Sequence, residues 1–350
     1  MSNQATPQEH DAMRRAFVLA AEGPRVGVNP QVGCVLLSPS GEVLAEGFHR
    51  GAGTPHAEVA ALKQLAEQGV SPEGVTAVVS LEPCAHVGRT GPCAHALAEA
   101  GIARLVYSVA DPGAHSGGGA DYLRQHGVEV VADVLRDEGL EVIRHWHTAT
   151  TWSRPFVTAK WGQSLDGRIA AEDGTSQWIT SPNSRAQVHR DRAAHGAIMV
   201  GTETLLADNP ALTARNSDGS LEKSQPLAVV MGHRPVPEDS AVRNHPGGFL
   251  HLDTRDPGEA LQVLFERGIR SLYLEGGATL QAAFFRAGLV EEVHLTLGPL
   301  LLGGSKTALG NIGISSMREA EPLDVVDVVW DETDIRVIAR VRRTPKTSEI

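Results

Sequence analysis

Apolar positions along the first 150 residues alternate between two spacings, which predicts alternating helices and strands. Met13, Phe17 and Ala20 recur at helical spacing within 9–22, and Gly23-Pro24 ends that pattern. Short apolar runs bounded by glycine, proline and serine follow, as is typical of buried strands. The patterns predict strands at 34–37, 43–48, 75–81, 104–110 and 128–131, and helices at 56–68 and 92–101. The first block is therefore expected to be an α/β domain.

A second series of the same kind begins after Arg154-Pro155. Ser181 is a suitable N-cap and Pro182 a suitable first residue for one of its helices. Strands that alternate with helices favour an open, mostly parallel sheet. The domain boundary is expected within 145–155, which gives domains 1–148 and 153–350. The predicted strands are 156–161, 197–200, 227–231, 249–252, 271–274, 293–297 and 335–341, and the predicted helices are 181–192, 202–207, 257–267 and 278–287.

Composition and charge narrow the class of protein. The formal net charge of −11 argues against nucleic acid or an anionic membrane as a partner. No apolar run reaches the roughly 18 residues of a membrane span, and Met1–Asp11 lacks the apolar core of a signal peptide. Three cysteines are too few for a disulfide framework and suit a reducing compartment. We therefore expect a cytoplasmic protein that binds no membrane.

The clearest chemical pattern is His56-Ala-Glu58 followed by Pro83-Cys84 and Pro92-Cys93. One imidazole and two thiolates supply three zinc ligands and leave a fourth position for water. A glutamate two residues after the histidine is suited to move protons on and off that water. This arrangement is typical of zinc-dependent cytidine-type deaminases. We expect one Zn²⁺ per chain, with Glu58 passing the water proton to the leaving ammonia.

A structural zinc site with four protein ligands is the alternative. Cys34, His49, His86 and His95 are candidates for the fourth ligand. A structural site needs no glutamate at the position of Glu58, and its ligands tend to occur in close Cys-x-x-Cys pairs. These features favour the catalytic interpretation.

The spacing of the two cysteines narrows the choice among zinc-dependent deaminases. The general deaminase signature has two residues between them, whereas eight separate Cys84 from Cys93 here. The string Pro83-Cys84-Ala-His86-Val-Gly88-Arg89-Thr90-Gly-Pro92-Cys93 resembles the deaminase domain of the bifunctional riboflavin-biosynthesis deaminase–reductases. Upstream, Asn29-Pro-Gln-Val-Gly33 and Gly51-Ala-Gly-Thr-Pro-His56-Ala-Glu58 match the same family. The second block carries motifs similar to that family's reductase, namely Lys160–Gly167, Ser176–Thr180, Asp208–Thr213 and Leu274–Gly277.

This resemblance implies an enzyme with two activities. The first domain would have a cytidine-deaminase-like α/β/α fold and deaminate 2,5-diamino-6-ribosylamino-4(3H)-pyrimidinone 5′-phosphate. The second would have a dihydrofolate-reductase-like α/β fold. It would reduce the ribosyl group of 5-amino-6-(5-phosphoribosylamino)uracil to a ribityl chain with NADPH. The expected partner is thus a small pyrimidine ribose phosphate, and a homo-oligomer is left open.

The resemblance also implies the residues of the second site. Arginines such as Arg192 and Arg215 suit a ribose phosphate, although solvated surface arginines are the plainer interpretation. Small residues at Glu275-Gly276-Gly277 would let backbone N–H groups approach a phosphate, although a tight turn fits equally and the dinucleotide fingerprint is absent. Asp208, beside a proline, could equally be a turn residue. The implied cofactor-binding residues are Gly162, Trp178, Thr204, Asp208, His233, Gly277, Ala278, Thr279, Leu280, Gln281, Ala282 and Ala283, and the implied substrate-binding residues are Ser176, Arg192, Leu212, Arg215 and Glu275.

Two departures from the family pattern matter below. Gly232-His233-Arg234 replaces a common Asp-Ser-x, which puts His233 at the cofactor-contact position, and Asp111-Pro-Gly-Ala114 replaces a common Asp-Pro-Asn-Pro. A basic residue near the adenosine 2′-phosphate would favour NADPH over NADH, with Arg185, Arg234 and Arg243 as candidates. The competing functions are a deaminase of free nucleotides or tRNA with an unrelated second domain, and a zinc-stabilised binding module without turnover.

Overall fold

The computed structural model describes residues 4–86, 91–113 and 116–342, and the chain divides into two units, Met1–Ser153 and Arg154–Ile350. Each unit has a sheet of its own. No helix within the described ranges is long and apolar enough to cross a membrane.

The first unit is built on a five-stranded sheet in the order β2-β1-β3-β4-β5. Strands β3, β4 and β5 run parallel, and β1 lies antiparallel to both β2 and β3. The predicted hairpin is confirmed, because Leu37 of β1 pairs with Val43 of β2. The strands are β1 (Gly33–Leu37), β2 (Val43–Phe48), β3 (Thr76–Leu81), β4 (Arg104–Val109) and β5 (Glu129–Val131).

Helices cover both faces of this sheet. Met13 and Phe17 of α1 pack with Val78 and Val106 on one face, together with Val142 of α5. Leucines from α2, α3 and α4 pack against the other face. An α/β/α layering follows, as expected, with every residue of β1 buried. The helices are α1 (Pro7–Ala21), α2 (Ala57–Glu67), α3 (Cys93–Glu99), α4 (Gly119–Gln125) and α5 (Arg136–Trp152).

The second unit has an eight-stranded sheet in the order β12-β13-β11-β6-β10-β7-β8-β9. The six strands from β11 to β9 run parallel, and β13 and β12 add an antiparallel edge. The predicted open, mostly parallel sheet is therefore confirmed. The strands are β6 (Phe156–Ser164), β7 (Ala197–Gly201), β8 (Leu227–Met231), β9 (Phe249–Leu252), β10 (Ser271–Leu274), β11 (Glu292–Gly298), β12 (Leu323–Asp331) and β13 (Asp334–Val341).

Four helices connect these strands. Ala260 and Leu264 of α8 and Phe284 of α9 pack against one face of the sheet, and Leu205 of α7 packs against the other. The predicted cap of α6 is confirmed, because the Ser181 hydroxyl accepts the Ser184 N–H at 3.1 Å. The helices are α6 (Pro182–Ala193), α7 (Thr202–Asp208), α8 (Pro257–Glu266) and α9 (Ala278–Arg286).

Two features differ from the prediction. Strand β12 was not expected, because its sequence Leu-Asp-Val-Val-Asp-Val-Val-Trp-Asp lacks a period of two, and its side chains are exposed on both faces. Helix α5 continues to Trp152, past residue 148, where we expected the first domain to end. The unit boundary lies after Ser153, because Arg154 and Pro155 lead directly into β6.

Candidate active sites

Three predicted zinc ligands converge in the first unit. His56 is the N-cap of α2, Cys84 follows β3, and Cys93 is the first residue of α3. The His56 Nδ1 atom lies 3.2 Å from the Cys93 Sγ and 3.6 Å from the Cys84 Sγ, and the three atoms lie within 4.8 Å of one another. Zinc–sulfur bonds of about 2.3 Å and zinc–nitrogen bonds of about 2.0 Å place tetrahedral ligands roughly 3.5–3.8 Å apart. The residues therefore fit a zinc ion.

The electrostatics of the cluster favour a thiolate. Hydrogen bonding to Cys93 and to His56 lowers the pKa of Cys84 to about 4. The Cys93 backbone N–H, at the start of α3, also donates to the Cys84 Sγ at 3.4 Å. The shared hydrogen bond and burial raise the pKa of Cys93, so the proton of the pair resides there. Thiolate is the form that binds zinc.

Glu58 lies in the first turn of α2 and is only 3% exposed. Burial raises the pKa of its carboxyl group. His56, Cys84 and Glu58 line one cavity of about 610 Å³. A buried carboxyl with a raised pKa, beside a metal site and facing a cavity, is suited to accept and return a proton.

A fourth protein ligand does not join the three in the described part of the chain. Cys34 is fully buried in β1, and burial raises the pKa of its thiol well above the usual value. The His49 ring bonds to Asn29 at 3.0 Å and to the Pro55 carbonyl at 3.2 Å. His95 stacks on Tyr122 at 4.0 Å, and His86 is an exposed residue of the cavity wall. The open fourth position favours the catalytic interpretation.

Sequence reasoning missed other residues of this cavity wall, namely Asn29, His49, Asp111 and Trp146. Asn29 and Asp111 were visible only within segments compared with the family, His49 was considered only as a fourth zinc ligand, and Trp146 carried no motif. Gly88-Arg89-Thr90, which contributed to the resemblance, lies outside the described residues.

Gly113 stands where the family commonly has asparagine, and a Cβ there would lie 2.1 Å from the Ser116 Oγ. A side chain at position 113 therefore requires Ser116 to move.

A second cavity of about 770 Å³ lies in the second unit. It is lined by Gly277, the N-cap of α9, and by one face of that helix. Small residues at this turn are required, because a Cβ on Gly276 would lie 2.6 Å from the Leu280 Cδ2. The predicted cofactor-binding residues that line the cavity are Thr204, Asp208, Gly277, Ala278, Thr279, Leu280 and Ala283.

The structure places the other predicted cofactor residues elsewhere. Gln281 and Ala282 lie on the buried side of α9, where the Gln281 amide donates to the Lys160 carbonyl at 2.9 Å. Trp178 is 64% exposed, with the Arg185 guanidinium 4.2 Å above its ring. Gly162 and Trp178 do not line the cavity. His233 turns to Asp253, with Nδ1 2.7 Å from the carboxylate, so Arg234 lines the cavity in its place.

Two of the predicted substrate residues, Arg192 and Glu275, form an ion pair that is largely buried. The Arg192 guanidinium donates to Glu275 at 2.6 and 2.9 Å, and Lys160 Nζ lies 3.8 Å from the same carboxylate. Burial raises the pKa of Glu275, but the charges of Arg192 and Lys160 outweigh it and lower the pKa to about 2. Lys160 lay within a family motif, but sequence reasoning gave it no role.

Thr213 joins two of the predicted arginines. Its carbonyl accepts from Arg192 at 3.0 Å, and its hydroxyl accepts from Arg215 at 3.0 Å. Leu212 is buried beside them with a left-handed φ of 56°, while Ser176 is partly exposed. None of the five predicted substrate residues lines the 770 Å³ cavity. Arg192 is thus held by Glu275 and Thr213, which limits how it can bind a phosphate.

Comparisons with known proteins place both units in families. Residues 6–109 match the cytidine and deoxycytidylate deaminase zinc-binding region, and residues 155–329 match the RibD C-terminal domain. The riboflavin biosynthesis protein RibD of Mycobacterium tuberculosis H37Rv is 42% identical over 314 residues, which cover 89% of this chain and 91% of the relative. The chain belongs to the RibD family. The RibD protein of Escherichia coli K12, 35% identical over 89% of this chain and 94% of its own, is a further member.

Solved structures of family members agree in fold. Acinetobacter baumannii RibD has a TM-score of 0.87 at 33% identity, with 96% of this chain and 99% of that chain covered. A Thermotoga maritima protein named diaminohydroxyphosphoribosylaminopyrimidine deaminase/5-amino-6-(5-phosphoribosylamino)uracil reductase has a TM-score of 0.85 at 31% identity, with the same coverage. This RibD-family chain is a bifunctional deaminase and reductase of riboflavin biosynthesis. The alternative of a deaminase with an unrelated second domain is therefore wrong.

Proposed function

We propose that the first unit hydrolytically deaminates 2,5-diamino-6-ribosylamino-4(3H)-pyrimidinone 5′-phosphate and that the second unit reduces the ribosyl group of the product with NADPH. The Thermotoga maritima relative is named for this pair of activities. The observation that carries the proposal is the convergence of His56, Cys84 and Cys93, with Glu58 facing the same cavity.

The chain's own part in deamination is proton transfer. His56, Cys84 and Cys93 would hold a zinc ion, which would act as a Lewis acid and lower the pKa of bound water to about 7. Glu58 accepts a proton from the attacking water and gives it to the amino nitrogen. The ring carbon gains a bond to oxygen and loses its bond to nitrogen, and ammonia leaves. The burial of Glu58, which raises its pKa, suits a group that must hold that proton between the two steps.

Asn29 and His49 orient the ring of the substrate. The His49 Nδ1–H donates to the Pro55 carbonyl, so its Nε2 accepts from the Asn29 amide at 3.0 Å. Burial lowers the pKa of His49, which keeps the ring neutral. The Asn29 carbonyl oxygen then accepts a hydrogen bond from the pyrimidine, because its amide nitrogen is held by His49.

Residues of the second unit bind the cofactor and supply a proton. NADPH, when bound, supplies the hydride that reduces C1′ of the sugar. The Gly276-Gly277 turn and the N-terminus of α9 accept its pyrophosphate, since small residues expose backbone N–H groups there. Reduction of an opened C1′=N bond leaves nitrogen in need of a proton. Lys160 is the donor we assign, because its Nζ lies 3.8 Å from Glu275, one of the implied substrate residues, and burial lowers its pKa.

Metal content and ammonia release in a Glu58→Gln variant test the deaminase half. We expect full zinc occupancy, because Glu58 is not a ligand, and at least about a hundredfold loss of ammonia release. Retained zinc without turnover in the wild-type protein would instead support a zinc-stabilised binding module. Deamination by Glu58→Gln at the wild-type rate would make the assigned proton transfer wrong.

NADPH oxidation by the wild-type protein tests the reductase half. With 5-amino-6-(5-phosphoribosylamino)uracil as substrate, we expect oxidation of one NADPH for each ribosyl group reduced. A folded, zinc-loaded protein that releases ammonia and yet oxidises no NADPH with this substrate would refute the reductase assignment alone.

A further inference from the structure

Two arginines that follow neighbouring strands line the 770 Å³ cavity. Strands β8 and β9 are parallel neighbours, and Met231 at the end of β8 is paired with Leu252 at the end of β9. Arg234 and Arg255 each follow the paired residue by three positions. Both line the cavity. The sheet register therefore brings the two loops that carry these arginines to one end of the sheet, although the residues are 21 positions apart in the sequence.

Neither guanidinium is neutralised within the described chain. The Arg234 Nε donates to the Thr202 hydroxyl at 3.3 Å, which leaves both terminal amino groups available. No carboxylate of the described residues lies within ion-pair distance of Arg234 or Arg255. The acidic neighbours of Arg255 are bound elsewhere, because Asp253 bonds to His233 and Asp256 caps α8. Two such cations facing one cavity are suited to a phosphate dianion.

Two further basic residues, Arg286 of α9 and Lys306, also line this cavity, and the Arg286 guanidinium donates to the Asn311 carbonyl. The other two candidates named from the sequence, Arg243 and Arg185, are already bound. The Arg243 guanidinium donates to the carbonyls of Val236 and Pro237 at 2.6 and 2.8 Å. Arg185 stacks on Trp178 and donates to the Thr180 carbonyl at 2.7 Å. Neither lines the cavity. The turn at Gly277, at the start of α9, is the site proposed above for the pyrophosphate, a group that NADPH and NADH share.

We propose that Arg234 and Arg255 bind the adenosine 2′-phosphate and thereby make the reductase prefer NADPH over NADH. The inference rests on the reductase function proposed above. It assigns specificity to Arg234, which ends the Gly232-His233-Arg234 segment that departs from the family pattern, and to Arg255, which no motif marks. The two nucleotides differ only in this phosphate, so the arginines are expected to act on one and not on the other.

Calorimetric titration of the zinc-loaded full chain with NADP⁺ and NAD⁺ tests the inference without turnover. The variants are Arg234→Gln, Arg255→Gln and the double substitution, with Arg243→Gln as a matched control on the loop after β8. Each cavity variant should raise the Kd for NADP⁺ roughly tenfold to hundredfold, the range for one lost hydrogen bond to a charged group. The Kd for NAD⁺ should change less than about twofold, and the control should bind both nucleotides like the wild type.

The other outcomes separate this inference from the proposed function. Equal loss of NADP⁺ and NAD⁺ affinity would assign the arginines to the shared pyrophosphate and overturn the inference. Unchanged NADP⁺ affinity in the double variant would overturn it too, while the reductase function stands. Failure of the wild-type protein to bind either nucleotide would refute both.

Discussion

The two cavities of this chain differ in how they are built. In the first unit, function depends on three ligand atoms within 4.8 Å of one another, carried by cysteines that are 9% and 0% exposed and by one histidine. In the second unit, the larger cavity has walls of glycine, threonine and alanine and arginines that are exposed to solvent. A metal site requires particular side chains, whereas a nucleotide cavity uses backbone groups and cations that neighbouring positions can supply.

This difference predicts how each site responds to substitution. Loss of one zinc ligand removes a bond that no other group can replace. Loss of one contact in the 770 Å³ cavity, which we propose binds the nucleotide, should remove only a share of the binding free energy. Effects should therefore be all-or-none in the first unit and graded in the second, and the predictions below test that contrast.

The largest effect is expected for Cys93→Ala. Zinc should be lost and ammonia release abolished, because two protein ligands bind zinc much more weakly than three. NADPH oxidation with the deaminated substrate should persist. Metal analysis and both assays on one preparation check this result.

The matched control is Cys34→Ala, which removes the third cysteine of the chain. Cys34 lies in β1 outside the ligand cluster, so zinc content should stay at the wild-type level. Zinc retention by Cys93→Ala, or zinc loss by Cys34→Ala, would show that the ligands are assigned wrongly.

A large but structural effect is expected for Glu275→Gln. Removing this carboxylate leaves Arg192 and Lys160, which are both largely buried, without their nearest counter-charge, and breaking a buried pair costs about 3–5 kcal/mol. Urea denaturation of the second unit should show this loss, and NADPH oxidation should fall with it. Asp324→Asn, which breaks an exposed pair with Arg342, should leave the transition unchanged.

The pH dependence of stability follows from the same residue. The pKa of Glu275 is about 2 in the folded protein, whereas a glutamate without these interactions has a pKa of 4.5. The stability that ionised Glu275 contributes is therefore fully present above about pH 4.5 and declines as the pH falls towards 2. The free energies of unfolding of wild type and Glu275→Gln should therefore converge between pH 5 and pH 2. A constant difference across that range would contradict the lowered pKa.

The smallest effects are expected at two helix caps, one in each unit. Ser181→Ala removes the cap of α6, which carries Arg192, and should lower the stability of the second unit by about 1 kcal/mol. Thr6→Ala removes the capping box of α1 and should lower the stability of the first unit by a similar amount. Thermal denaturation measures both. Zinc content should not change in either variant, since neither residue belongs to the ligand cluster.

Strands bounded by turn residues were predictable to the residue. Val43–Phe48, Leu227–Met231, Phe249–Leu252 and Ser271–Leu274 each match the predicted bounds, because apolar runs end there at glycine, proline or charged residues. Strand β12 was missed, since a strand exposed on both faces leaves no hydrophobic period in the sequence.

The residues of the zinc site could be predicted from the sequence more completely than those of the second cavity, for a physical reason. The zinc ligands and Glu58 could be named because that chemistry fixes the residue types and the spacing of His56 and Glu58. Arg255 could not, since its position beside Arg234 depends on the register of β8 and β9. His233 was expected in the cavity, but its bond to Asp253 turns it away. The order and register of paired strands cannot be predicted from a local sequence pattern.

The central claim is that two chemically independent sites act in sequence on one pyrimidine. NADPH oxidation by Glu58→Gln with each of two substrates tests it most directly. We predict no oxidation with the diaminopyrimidine phosphate, which the variant cannot deaminate, and oxidation at the wild-type rate with the deaminated product. Equal loss of oxidation with both substrates, or wild-type oxidation with both, would contradict the account.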